Sequence, residues 1–79
     1  MMPPEAVEAL LKAHFPNAHV EVFDKTGVQD HYIVFVSDES FASLNAMARH
    51  RAVNAALSPA IVDGRLHAVE IKTQVPVAS

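Results

Sequence analysis

Ser37-Asp38-Glu39-Ser40-Phe41-Ala42-Ser43-Leu44-Asn45-Ala46-Met47-Ala48-Arg49-His50-Arg51-Ala52-Val53-Asn54-Ala55-Ala56-Leu57 leaves an apolar run, Tyr32 to Val36, and enters an alanine-rich segment in which Arg49, His50 and Arg51 follow one another. Ser37 or Ser40 can cap the first unpaired amides of a helix, and Asp38 and Glu39 sit where the positive end of its dipole favours carboxylates. The stretch therefore predicts a turn followed by a helix from about Ser43 to Leu57. Within it Ala46, His50, Val53, Leu57 and Ile61 recur three or four residues apart, so this stripe is expected to face a sheet. Two residues turn a helix through about 200°, which sends Arg49 and Arg51 to opposite flanks of that stripe. Ser58 followed by Pro59 predicts a kink or a helix restart, and Gly64 a stop.

Working upstream, Pro3 to His14 reads as a first helix. Its prolines lie where a missing amide costs little, and Val7, Leu10, Leu11 and His14 share one face. Pro16 ends it. Ala18 to Asp24 alternates with period two and predicts a strand with Val20 and Val22 on one face, Glu21 and Phe23 on the other. Lys25, Thr26 and Gly27 form a polar turn. His31 to Val36 is apolar on both faces, as a central strand covered on each side would be, and the pair forms a hairpin with a loop of about five residues. Downstream, Leu66 to Val75 alternates again as the last strand. The order αββααβ predicts one α+β domain over residues 1–79, a three-stranded sheet with helices packed on one face and its first two strands antiparallel.

Composition narrows the function. With 51% hydrophobic and 19% charged residues the 79-residue chain is globular in type, and so small a chain has little stability to spare. It contains no cysteine, so any metal it holds must use histidine, carboxylate or another molecule's ligands. A net charge of −3 gives no global footprint for nucleic acid. The N-terminus lacks the basic and apolar regions of a signal peptide, and no apolar run reaches membrane-spanning length, so a cytoplasmic protein without membrane contact is expected. No Ser-His-Asp set, carboxylate pair or glycine-rich phosphate loop is present, and no catalysis is expected.

Four segments carry a resemblance: Val36-Ser37-Asp38; Phe41-Ala42-Ser43; Arg49-His50-Arg51; and His67-Ala68-Val69-Glu70-Ile71-Lys72-Thr73-Gln74-Val75-Pro76. In register with the predicted elements, they make the chain similar to the BolA-like proteins over nearly its whole length. The resemblance implies a fold like the class II KH domain, with a helix-turn-helix-like segment around Arg49-His50-Arg51. It also implies pairing with a monothiol glutaredoxin and a 2Fe-2S cluster shared with that partner and its glutathione, with none expected in the isolated chain. Some bacterial members of the family are stress-induced morphogens linked to transcriptional regulation. There are three departures from the pattern. Ser43 stands where the family has glycine, the Lys25 to Asp30 loop lacks a further His or Cys, and the tail ends at Pro76-Val77-Ala78-Ser79 without an acidic-Trp helix.

The candidate metal ligands are His67, which matches the family's C-terminal ligand histidine, and His31, the histidine nearest the hairpin loop. Neutral imidazole binds iron well. Both also admit a structural reading at a strand start. Arg49, His50 and Arg51 are candidates for contact with phosphate, a partner's carboxylates or glutathione. The plainer reading makes the arginines a solvated pair tied to Asp38 and Glu39, and His50 a hydrogen-bonded residue of the apolar stripe. His14 and His19 have no motif support. The leading expectation is a glutaredoxin-binding adaptor, and the alternative is a DNA-binding regulator using the KH-like surface. A metal-free interaction module that self-associates through an open sheet edge or helix face is a third reading. The free protein is expected to be a monomer or weak homodimer.

Overall fold

The structure is a computed structural model that describes residues 2–27 and 31–76. The elements run α1 (Pro4–His14), β1 (His19–Asp24), β2 (His31–Ser37), a 3₁₀ turn (Glu39–Ser43), α2 (Ala46–Val62) and β3 (Ala68–Gln74). The strands form one sheet in the order β1-β2-β3, with β1 antiparallel and β3 parallel to β2. A parallel neighbour cannot be reached by a tight turn, and α2 is the crossover that makes this one possible. The α+β class, the three strands and the antiparallel first pair are as the sequence predicts.

Both helices pack on one face of the sheet. Val7 and Leu11 of α1, Tyr32, Val34 and Val36 of β2, and Val53, Ala56, Leu57 and Ala60 of α2 are buried together, with Phe41 and Leu66 closing the ends. Tyr32 brings a hydroxyl into this core and donates it to the carbonyl of Met2, which ties down the start of the chain. The opposite face is open, which corrects the expectation of a central strand covered on both sides. β2 is central in order, but Phe35 is 38% and its neighbour Phe23 50% exposed. The apolar residues of that face gain cover sideways, with the two rings edge to face at 5.7 Å.

The decisive stretch folds differently from its periodicity. Asp38 caps the 3₁₀ turn by accepting from the Ser40 amide at 3.3 Å, and Asn45 caps α2 by accepting from the Ala48 amide at 2.8 Å. The caps expected from Ser37 or Ser40 are replaced by these longer-reaching side chains. α2 starts at Ala46 and buries Val53, Ala56, Leu57 and Ala60, with Ile61 half-buried against them, a stripe that keeps Val53, Leu57 and Ile61 of the predicted one but not its first two members. Ala46 and His50 are exposed, and alanines at 56 and 60 let the helix lie close to the sheet. His50 is therefore not a member of the apolar stripe. Of the kink or restart expected at Pro59, the restart is absent, because α2 runs through to Val62. Pro59 and Ala55 lie on the solvent side, where water can satisfy the Ala55 carbonyl that lacks a proline N–H. Gly64, at φ 82°, ends the segment as expected.

Rotation of α2 places Arg49 in line with the buried residues. Its Nε donates to the carbonyls of both Phe41 and Leu44, each at 2.9 Å, and so fastens the 3₁₀ turn to the first turn of α2. Neither arginine pairs with Asp38 or Glu39 among the described residues. Ser43 ends the 3₁₀ turn, whose backbone needs no positive φ, and its hydroxyl donates to the Ser40 carbonyl at 3.2 Å. The missing glycine is thereby accommodated. Hydrogen bonds from a charged group contribute about 1.5–3 kcal/mol each way they are broken, against roughly 4–12 kcal/mol for a chain of this length. Arg49→Ala is expected to lose about 1.5–3 kcal/mol in urea unfolding, while Arg51→Ala stays within about 0.5 kcal/mol of the parent.

Candidate metal centre

Parallel strands begin at the same end of a sheet. His31 opens β2 and has Ala68 as its register partner on β3, so His67, immediately before Ala68, lies at the same end of the molecule. Only this crossover sets two histidines 36 positions apart in sequence at one end of the sheet. Both side chains belong to exposed residues, and neither ring is hydrogen-bonded among the described residues. An imidazole in that state keeps a nitrogen lone pair accessible for a metal. By contrast, His14 Nδ1 lies 3.4 Å from the Leu10 carbonyl and His19 Nε2 3.2 Å from Glu21 Oε2, so the two histidines without motif support are engaged locally.

The hairpin side of this end is shaped by residues that no motif marked. The Lys25 amide donates to the His31 carbonyl at 2.9 Å and closes the hairpin, while the Gly27 amide bonds to Asp24 Oδ1 at 3.0 Å, with Gly27 at φ 81°. Lys25 Nζ then reaches over β2 to Glu70 Oε1 on β3, at 3.1 Å. A cavity of about 230 Å³ lies between, lined by Lys25, Thr26, His31, Ala68 and Glu70 among others. The hydrogen bond from Lys25, then its charge, holds the Glu70 carboxyl below the usual glutamate range, with Lys72 adding to the effect. Residues 28–30 of the predicted loop and 77–79 of the predicted tail lie outside the described residues.

Among the described residues no group of three or more His, Cys, Asp or Glu side chains is arranged to hold a metal ion. Two accessible imidazoles and no thiolate fit a partial ligand set, completed by another molecule, and do not fit a self-contained cluster site. The arginine segment lies elsewhere. Arg49 is committed to the Phe41 and Leu44 carbonyls, whereas His50 and Arg51 are exposed on the outer face of α2.

Residues 2–77 match the family model described as BolA-like protein. The chain belongs to the BolA-like family. An uncharacterized protein of Rickettsia prowazekii is 39% identical over 69 residues, covering 87% of this chain and 88% of that one. The NMR structure of a BolA-like hypothetical protein from the same organism superposes with a TM-score of 0.74 at 36% identity, over 96% of this chain and 97% of that one. BolA1 from Arabidopsis thaliana gives a TM-score of 0.82 over 100% of this chain and 99% of its own, at 21% identity, which makes it a likeness of fold. In this BolA-like chain the signature segments divide. Asp38, Phe41 and Arg49 hold the 3₁₀ turn against α2, while His67 stands free at the sheet end.

No helix among the described residues is long and apolar enough to cross a membrane. The Lys25–Glu70 contact has a sign that can be checked. A carboxyl whose folded value is depressed keeps its partner above the ordinary glutamate range and loses it as pH falls through the folded value. Side-chain carboxyl NMR is expected to show Glu70 titrating below the ordinary glutamate range, and Lys25→Gln to move it back up.

Proposed function

We propose that this BolA-like protein is a non-catalytic cytoplasmic adaptor that docks a monothiol glutaredoxin and lends histidine to a 2Fe-2S cluster shared with it and its glutathione. The observation that supports this most is that His67 and His31, both exposed and neither hydrogen-bonded among the described residues, lie at one end of the parallel strands. When bound, the cluster would supply reversible one-electron chemistry, either as cargo in iron-sulfur trafficking or as a sensor of iron and redox state. His67 would be the first ligand from this side and His31 the second. Each must present a neutral ring nitrogen, and histidine in place of thiolate raises a cluster's potential. Thiolates would come from the partner, in keeping with a chain that has no cysteine.

A second reading, a nucleic-acid-binding transcriptional regulator, is favoured only by exposed His50 and Arg51 on the outer face of α2. The commitment of Arg49 Nε to backbone carbonyls and the net charge of −3 weaken it, since phosphate neutralisation supplies most non-specific affinity.

Titrating the protein into cluster-loaded glutaredoxin while recording visible circular dichroism tests the first reading. The expected result is a new, saturable spectrum that changes or disappears with His67→Ala. An unchanged spectrum, or one indifferent to that substitution, would defeat it.

A further inference from the structure

β3 is an edge strand. Among the described residues it has β2 on one side and no strand on the other. Which of its backbone groups face outward follows from one bond, because the Asp38 amide donates to the Gln74 carbonyl at 3.2 Å, so Gln74 points toward β2. Alternate residues of a parallel strand bond to the same neighbour. Lys72, Glu70 and Ala68 therefore also point inward, and Val69, Ile71 and Thr73 turn their N–H and C=O groups to the free edge. Among the described residues none of those three makes another hydrogen bond. Neither a proline within Ala68–Gln74 nor a bulge in its register blocks this edge, and its exposed charges, Glu70 and Lys72, are of opposite sign.

We infer that this edge is an interface for a second copy of the chain, joined by antiparallel pairing of β3 with β3 about a two-fold axis at Ile71. In that register Ile71 meets Ile71 of the other copy and Val69 meets Thr73. All of these carry outward backbone groups, so their N–H and C=O groups bond in reciprocal pairs. The intervening positions are non-hydrogen-bonded pairs, where side chains come closest, and there Glu70 meets Lys72 twice by symmetry. The charges fix the register. A slip by one residue would set inward-pointing groups against outward-pointing ones. A slip of one pleat either way would place Glu70 on Glu70 or Lys72 on Lys72. Only the Ile71-centred pairing joins opposite charges and satisfies the edge.

Lys25 is no obstacle, because it occupies Oε1 of Glu70 and leaves the second carboxylate oxygen for Lys72 of the other copy. The two sheets would become one of six strands, with the phenylalanine face continuous across it. A single strand edge is small beside a standard protein interface, so the dimer is weak and concentration-dependent. The inference is independent of the metal reading.

Sedimentation velocity over a concentration series tests it. The parent protein is expected to pass from monomer to dimer as concentration rises. Lys72→Glu alone and Glu70→Lys alone should each weaken self-association about tenfold or more, because each sets like charges opposite one another at both symmetric positions. Mixed, the two variants should form a heterodimer, since one strand then carries only acids and the other only bases at the paired positions. Ile71→Pro, which removes an outward amide and leaves the ladder to β2 intact, should stay monomeric with an unchanged far-ultraviolet spectrum. A parent that remains monomeric throughout would overturn the inference, and so would a dimer indifferent to the charge changes, or single variants that fail to pair when mixed.

Discussion

The parallel pairing of β2 with β3 is the constraint from which the rest follows. It requires a crossover, which α2 provides, and it requires that crossover to lie on the face α1 already covers if a chain this small is to have a single core. One consequence is the open second face with its two phenylalanines. Another is that both strands start at the same end, so His31 and His67 come to one end of the sheet although they are remote in sequence. A third is that β3 becomes an edge whose outward groups are fixed by the β2 ladder.

The elements themselves were legible because their patterns are local. Period-two alternation in His19–Asp24 and Ala68–Gln74, the prolines before α1 and the positive-φ glycine after α2 each express a short-range preference. The orientation of α2 was legible only in its second half, where Val53, Leu57 and Ile61 face the core as predicted. Counting large apolar side chains selects a stripe through His50, but burial goes to the side where alanine permits close approach, so Ala56 and Ala60 decide the rotation and carry Arg49 inward with them. The continuity of the helix at Pro59 was not legible, since the cost of a proline depends on whether the unpaired carbonyl meets water or protein. The Lys25–Glu70 contact joins residues 45 positions apart, and only the β2–β3 register could have disclosed it.

A family signature can mix residues that hold the fold with residues that face outward, and the structure separates them here. Phe41 is fully buried against Phe15, ring centroids 5.5 Å apart, and Arg49 bonds the carbonyl of Phe41 itself, so these motif positions build the joint between the 3₁₀ turn and α2. His67 does nothing comparable for the fold. It is exposed, lies just outside β3 and has no hydrogen bond among the described residues, and the account of function rests on it for that reason.

That account makes a claim about one bond, from a histidine nitrogen of this chain to iron. Pulsed electron paramagnetic resonance of the reduced cluster, with this protein carrying ¹⁵N-labelled histidine and the glutaredoxin unlabelled, reads that bond directly. A ¹⁵N coupling that is present in the parent complex and lost with His67→Ala is the predicted result. A cluster whose spectrum carries no ¹⁵N coupling would show that every ligand belongs to the partner, and would contradict the account.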